Sequence, residues 1–164
     1  MKISKTMENA INKQITSEFE SAFLYLSMST WFSDNNLPGF ANWCYVQFLE
    51  EQEHAMKFHK YILDRQGKPV IDAISKPKAN WKDPIDVFNN ILNHEIGVTS
   101  KINDLYKKAK EEDDYTSMSF LKWYLDEQVE EEEHSVDILN KLKMNGDSKS
   151  GLMFLDNLLS ARKK

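Results

Sequence analysis

The sequence predicts an all-α fold, a four-helix bundle with a long crossover between the second and third helices and a short fifth helix. Three observations predict this fold. The 164 residues include only five glycines and four prolines. These helix breakers leave four stretches of about 30 residues, or about eight helical turns each, and a shorter tail. The composition, with 29% charged and 41% hydrophobic residues, is typical of a helical soluble protein.

The first helix is predicted from about Lys5 to Asp34, where the polar turn Asp34-Asn35-Asn36 ends it. Pro38 suits the first position of a second helix, because the N–H that proline lacks would be unpaired there in any case. This helix is expected to stop before Gly67. Residues 67–82 contain two prolines and no sustained helical period, so we expect a long connection there.

Asp83-Pro84 has the pattern of an N-cap followed by a proline at the first helical position. The third helix it opens is expected to reach about Glu112. Asp113 or Asp114 then caps a fourth helix that ends near Asn145-Gly146. Residues 150–161 are predicted to form the short fifth helix. Short links after the first and third helices and a long link after the second are typical of a four-helix bundle with a crossover. We expect a single domain over residues 1–164.

Charge and cysteine content restrict the partners. The formal net charge of −5 favours cations as partners and argues against nucleic acid. Cys44 is the only cysteine, which excludes an intrachain disulfide and any site of paired thiolates within one subunit.

No run approaches the roughly 18 apolar residues of a membrane span, and no apolar signal core follows Met1. We therefore expect a cytoplasmic protein without a membrane partner.

Each long helix carries a buried stripe at spacings of three and four residues, and a glutamate interrupts every stripe near its middle. Glu18, Glu51 and Glu95 do so in the first three helices. The fourth stripe leaves alternatives open and reads Phe120, Tyr124, Glu127 or Gln128, Glu131, His134 or Ser135, Ile138 and Leu142. A single such glutamate is explained by a rotated helix or by a side chain that reaches water. Four at one level of a bundle favour a common cause.

The energetics of burial favour metal ions as that cause. An unpaired buried carboxylate costs several kcal/mol, and neighbouring carboxylates repel one another. A typical stability of about 5–15 kcal/mol does not support four of them ionised and uncompensated. No lysine or arginine lies on these stripes. Two divalent cations would balance four carboxylates, and proton sharing would offset part of the repulsion in the metal-free state.

Histidines are placed to complete such a site. Glu51 and His54 are three residues apart and hence on one helical face, and Glu131 and His134 repeat the spacing. One glutamate from each of two helices and a Glu-x-x-His from each of the other two is the arrangement of dinuclear carboxylate proteins. A lone Glu-x-x-His is a weak signal, whereas the full set in order is a strong one.

The chain resembles the non-haem ferritins, particularly the prokaryotic type, over nearly its whole length. The most specific stretches are Ser17-Glu18 through Tyr25-Leu26-Ser27-Met28-Ser29, Glu50-Glu51-Gln52-Glu53-His54-Ala55, His94-Glu95, Phe120-Leu121-Lys122-Trp123-Tyr124 and Glu127-Gln128-Val129-Glu130-Glu131-Glu132. The resemblance implies one iron held by Glu18, Glu51 and His54. It implies a second iron held by a bridging Glu51, Glu95 and Glu131, with Gln128 nearby. Glu50, Glu127 and Glu130 match an adjoining third iron site, and Tyr25 and Trp123 match aromatic residues linked to electron transfer.

The resemblance also implies a function. Fe(II) would be oxidised by O2 or hydrogen peroxide, and the ferric mineral would be stored inside a homo-oligomeric shell of 24 subunits. No haem is expected, because Gln52 occupies the place of the haem-binding methionine of bacterioferritins. Whether His134 ligates the second iron stays open at this point. So does a di-iron oxidase or peroxidase whose metals are retained. A purely structural bundle with a vestigial site is disfavoured because all the ligand carboxylates are present.

Overall fold

The computed structural model describes residues 2–164, which form five α-helices and no strand. The helices are α1 (Lys5–Asp34), α2 (Pro38–Asp64), α3 (Pro84–Glu111), α4 (Tyr115–Asn145) and α5 (Lys149–Leu159). All five predicted helices are confirmed, and each observed end lies within about two residues of the predicted one, the usual uncertainty of a helix end. No helix among residues 2–164 combines the length and apolar character that crossing a bilayer requires.

Side chains cap most of the helix starts, including the starts of α3 and α4, where the sequence predicts an aspartate cap. The Ser4 hydroxyl accepts from the Met7 N–H at 3.0 Å, and Asp83 accepts from the Asp86 N–H at 2.8 Å. Of the two candidates before α4, Asp114 is the cap: its carboxylate accepts from the N–H and the hydroxyl of Ser117. Each cap satisfies an N–H that the helix itself leaves without a partner.

The chain divides into two compact units, Met1–Lys82 with Asn145–Lys164, and Asp83–Met144. In the first unit α1 and α2 pack against each other. They are antiparallel, since the Ile3 N–H donates to the Arg65 carbonyl at 2.9 Å and the Ser29 hydroxyl to the Ala41 carbonyl at 2.8 Å. The predicted stripes of both helices are buried: Ile11, Ile15, Glu18, Ala22, Tyr25, Ser29 and Phe32 on α1, and Phe40, Cys44, Gln47, Glu51, His54, Phe58 and Tyr61 on α2. The prediction of one domain over residues 1–164 stays a prediction.

The connection after α2 lies along α1 and is held there by polar side chains of that helix. The Asn12 amide donates to the Lys68 carbonyl and accepts from the Val70 N–H. Further along, Thr16 and Glu20 accept from the N–H groups of Asp72 and Ser75, and the Ser27 hydroxyl donates to the Lys78 carbonyl. These α1 positions are spaced by four or seven residues, so they follow one face of the helix. The connection thus gains partners for its backbone without forming a helix of its own.

Helix α5 caps the start of α2, which has no capping side chain from its own neighbouring residue, Leu37. One carboxylate oxygen of Asp156 accepts from the N–H of Gly39 at 2.8 Å and of Phe40 at 3.0 Å. A Cβ at Gly39 would lie 1.6 Å from the Asp156 carbonyl oxygen, so only glycine allows this approach. The negative charge also interacts favourably with the positive end of the α2 dipole.

The second unit contains α3 and nearly all of α4. The predicted α3 stripe is buried throughout: Phe88, Ile91, Glu95, Val98, Ile102, Leu105 and Ala109. On α4 the structure decides between the alternatives: Gln128 is buried whereas Glu127 is half-buried, and Ser135 is buried whereas His134 is exposed. The stripe was wrong at its first position, since Phe120 is only half-buried and Leu121 is fully buried. The Phe120 ring instead packs beside Tyr124, with ring centroids 5.6 Å apart.

Candidate metal centre

In the first unit Glu18 of α1 meets Glu51 and His54 of α2. All three are buried, with 1%, 3% and 6% of their surface exposed. One ligand atom of each residue lies within 4.8 Å of those of the other two. The three-residue spacing puts Glu51 and His54 on one face of α2, where the His54 Nδ1 lies 3.6 Å from a Glu51 oxygen. The sequence predicted all three as ligands of one ion, and the structure brings all three together.

Two carboxylates and one imidazole form a ligand set with a clear chemical preference. The oxygens are hard, anionic donors that suit magnesium, calcium or manganese, and the imidazole shifts the preference toward iron and other transition metals. The Gln14 side-chain amide donates to a Glu18 oxygen at 2.8 Å and therefore orients that carboxylate. Sequence reasoning did not identify Gln14. The signal was available, because Gln14 precedes Glu18 by one helical turn.

In the second unit Gln128 of α4 reaches the predicted ligand Glu95 of α3. Its amide nitrogen lies 3.3 Å from the Glu95 carbonyl oxygen, from a Glu95 carboxylate oxygen and from the Thr99 hydroxyl. Glu95 is 1% exposed, Glu131 is 3% exposed and Gln128 is 5% exposed. Two buried carboxylates and an amide are therefore carried on these two helices.

Hydroxyl side chains next to these residues form hydrogen bonds within α4 and between α3 and α4. The Ser135 hydroxyl donates to the Glu131 carbonyl at 2.8 Å and takes the buried position one turn after Glu131. The Thr99 hydroxyl donates to a Glu132 oxygen at 2.5 Å and so ties α3 to α4. Sequence reasoning missed the role of Thr99, since a threonine between helical stripes gives no signal of its partner.

The remaining predicted site residues differ in exposure. Glu50 is half-buried and forms an ion pair with Arg162 at 2.6 Å. Glu127 is half-buried and Glu130 is exposed. His134 lies on the exposed side of α4, which sets it apart from the buried glutamates and from His54.

The two predicted aromatic residues also differ. Tyr25 is almost fully buried, and its ring meets that of Trp43 in an edge-to-face contact with centroids 6.2 Å apart. Trp123 is 37% exposed and lies edge-on to Tyr124, with centroids 4.8 Å apart. Tyr25 is thus enclosed in the first unit, whereas Trp123 stands at a surface of the second.

The geometry and the sequence agree with a known family. A sequence profile described as the ferritin-like domain matches residues 8–145. This chain belongs to the ferritin family. It is 38% identical over 160 residues to a bacterial non-heme ferritin of Bacteroides fragilis, covering 98% of this chain and 99% of the relative. It is 34% identical over 166 residues to a bacterial non-heme ferritin of Campylobacter jejuni, with 99% of each chain covered.

Solved ferritin structures show the same fold. The crystal structure of an open pore ferritin from the hyperthermophilic archaeon Archaeoglobus fulgidus matches with a TM-score of 0.98 and 42% identity, over 98% of this chain and 99% of the other. A humanized archaeal ferritin matches with a TM-score of 0.98, also at 42% identity, over 99% of each chain. The predicted ferritin-like four-helix bundle with a short fifth helix is therefore confirmed. Membership in the ferritin family supports iron binding and iron storage.

Proposed function

We propose that this ferritin chain is a ferroxidase subunit that oxidises Fe(II) at a dinuclear carboxylate centre and stores the ferric product. The observation that carries the proposal is the buried group Glu18, Glu51 and His54, whose ligand atoms lie within 4.8 Å of one another. Buried acidic groups this close repel one another without a cation. A metal ion with hard ligand preferences relieves that repulsion and suits the donors present.

The first Fe(II) is held by Glu18, Glu51 and His54. The resemblance to ferritins implies that the second is held by Glu95 and Glu131, with Glu51 as a bridging ligand and Gln128 nearby. Support for the second set comes from the burial of all three of its own residues and from membership in the ferritin family. Gln128 contributes an amide oxygen or a hydrogen bond, neither of which adds charge.

The reaction transfers one electron from each of two Fe(II) ions to O2, which takes up two protons and leaves as hydrogen peroxide. Hydrogen peroxide itself accepts two electrons from a further pair of Fe(II) ions and two protons from solvent, and it leaves as two water molecules. Carboxylate oxygens favour this direction because hard anionic donors stabilise Fe(III). In this proposal Tyr25, buried beside Trp43, relays one of these electrons from an Fe(II) ion to the oxidant and so undergoes no net change.

Glu50, Glu127 and Glu130 are proposed to form the adjoining third iron site, through which ferric iron leaves for the store. The difference in exposure among the three residues supports a route for ferric iron from the interior to the surface, since Glu130 is exposed while Glu50 and Glu127 are half-buried. The store is a homo-oligomeric cage, proposed to contain 24 subunits and to reside in the cytoplasm. Membership in the ferritin family supports the cage.

Anaerobic titration of the apo-protein with Fe(II), followed by addition of O2, tests the proposal. We expect a rapid oxidation phase that saturates near two Fe(II) per subunit, followed by slower uptake of many more. Glu51→Gln should abolish the rapid phase. Glu133→Gln, which removes an exposed carboxylate of α4, serves as the control and should leave it unchanged.

Two other results would contradict the proposal in different ways. Two tightly held irons with no further uptake would indicate a retained-metal di-iron oxidase or peroxidase instead of a storage protein. Equal rapid phases in the wild type and in Glu51→Gln would exclude the centre itself.

A further inference from the structure

The segment that follows α5, residues Ser160–Lys164, lies along α2 and is called the basic strap below. The Asn42 amide of α2 donates to the carbonyls of Leu159, Ser160 and Arg162 at 3.3, 3.4 and 3.0 Å. Further along α2 the strap contacts Gln47 and Glu50 through Arg162, and Glu53 through Lys164. The strap therefore extends over about three turns of α2, as far as the turn that carries His54.

Arg162 makes the central contacts of the basic strap. Its Nη2 donates to a Glu50 oxygen at 2.6 Å and to the Gln47 side-chain oxygen. The guanidinium carbon lies 4.7 Å from the centroid of the Trp43 ring, within the range of a cation–π interaction. The Arg162 and Glu50 side chains are only 20% and 27% exposed, so water screens this ion pair less than a surface pair.

Arg162 binds Glu50 through Nη2 alone, so this ion pair lacks the second hydrogen bond of a bidentate arginine–carboxylate pair. The Nη1 of Arg162 is buried and has no hydrogen-bond partner among the residues that the structure describes. A buried donor without a partner is unfavourable, because it has lost its hydrogen bonds to water and has formed none within the protein. The second ion pair, between Lys164 and Glu53, is exposed and contributes little.

Glu50 is the residue before Glu51 and belongs to the proposed third iron site. A carboxylate paired with a guanidinium has to give up that partner before it can bind a metal ion with full strength. Arginine stays protonated at any working pH, so only a competing cation or movement of the strap removes its charge. The two cations, guanidinium and metal, therefore compete for one carboxylate.

We propose that Arg162 is a positioning residue that competes with metal ions for Glu50 and lowers the affinity of the third site. The proposal rests on the proposed function, in which Glu50 is a ligand of that site. The hydrogen bonds of Arg162 go to Gln47 and Glu50, so the proposed competition acts on the third site and not on the group Glu18, Glu51 and His54. Arg162 thereby directs the first ions to the dinuclear centre and keeps the site that contains Glu50 for ions that arrive later.

Equilibrium titration of the apo-protein with Zn(II), which undergoes no redox reaction, tests the proposal by calorimetry. The class of site that contains Glu50 is identified as the class that Glu50→Gln removes. In Arg162→Gln we expect Zn(II) to bind this class about three- to tenfold more tightly, the range expected for loss of a partly buried ion pair. Lys163→Gln, which removes an equal charge from the exposed neighbouring residue, should leave the affinity unchanged.

A double-mutant cycle separates the competition from a general effect of folding or charge. Arg162→Gln should have no effect in the Glu50→Gln background, and Arg162→Lys should give an intermediate affinity because lysine retains the charge. Equal affinities in the wild type and Arg162→Gln would overturn the proposal. So would an equal change in Lys163→Gln, or a Glu50→Gln variant that loses no class of site.

The same titration keeps this proposal separate from the proposed function. The dinuclear centre is tested by the class of site that Glu51→Gln removes, and that class should be unaffected in Arg162→Gln. If Arg162→Gln does not assemble, Arg162→Lys carries the test alone, with a smaller increase in affinity expected.

Discussion

Replacement of Glu51 by glutamine should stabilise the metal-free protein while it removes the response to metal. Glu51 is 3% exposed, and an ionised carboxylate in such a place loses several kcal/mol of hydration. A ligand oxygen of Glu18 lies within 4.8 Å of the ligand atoms of Glu51 and His54. Two full charges at that distance repel by about 3 kcal/mol at an effective dielectric constant of about 20.

The amide of glutamine has nearly the same shape as the carboxylate and carries no charge. Hydrogen bonds to the carboxylate and proton sharing offset part of the repulsion in the wild type. We therefore expect Glu51→Gln to raise the free energy of unfolding of the apo-protein by about 1–3 kcal/mol. Zn(II) at about one hundred times its dissociation constant should stabilise the wild type by about 2.7 kcal/mol and the variant much less.

Urea unfolding of both proteins at one subunit concentration, with and without Zn(II), measures both effects. The fixed concentration matters because dissociation of an oligomer contributes to the apparent stability. Glu133→Gln is the matched control, since substitutions at exposed positions usually change stability by less than about 0.5 kcal/mol. A Glu51→Gln apo-protein less stable than the wild type, together with equal stabilisation of both by Zn(II), would refute the reasoning.

Three further predictions concern residues that support the centre or the helices around it. Asp156→Ala removes the acceptor for two N–H groups at the start of α2, so thermal unfolding should report a loss of about 2 kcal/mol, and an unchanged melting temperature would contradict the capping role. Gln14→Ala leaves the Glu18 carboxylate without its amide donor and should weaken Zn(II) binding about tenfold; affinity equal to the wild type would show that Gln14 does not orient Glu18. The hydrogen bond from Lys5 lowers the pKa of Glu8 below its ordinary value, so this carboxylate stabilises the fold above about pH 4.5 and the contribution is lost as the pH falls below it. Urea unfolding between about pH 6 and pH 3 should thus show a smaller loss of stability for Glu8→Gln than for the wild type, and parallel curves would contradict the assignment.

Local signals explain why the helices were predictable from the sequence. Within a helix, proline is tolerated only in the first turn, so Pro38 and Pro84 indicate where α2 and α3 begin, and Asp83 caps the helix that Pro84 opens. The spacing of apolar residues then fixes the buried face of each helix. It also places Glu51 and His54 together, because residues three apart lie on the same face of a helix.

Contacts between distant parts of the chain left no such signal. The pair formed by Arg162 and Glu50 joins residues 112 positions apart, and the sequence alone shows the arginine only as part of a basic end. Asn12 likewise holds the connection at Lys68 and Val70. In the sequence this asparagine looks like any other polar residue of a helix, so its distant partners could not be predicted. Periodicity predicts which face of a helix is buried, but it does not predict which polar group from elsewhere will reach the other face.

Adjacent glutamates on α2 show how one helix serves two cations. Successive residues are rotated by about 100° around a helix, so Glu50 and Glu51 point in different directions. Glu51 lies with His54 on the buried face, where Glu18 of α1 completes a group of three ligands. Glu50 faces the basic strap and pairs with Arg162. A guanidinium of the chain itself pairs with Glu50, whereas Glu51 lies beside a second carboxylate and an imidazole, an arrangement that suits a metal ion. In our proposal, Arg162 therefore contributes as much as the metal-binding side chains to the order in which Glu51 and Glu50 bind iron.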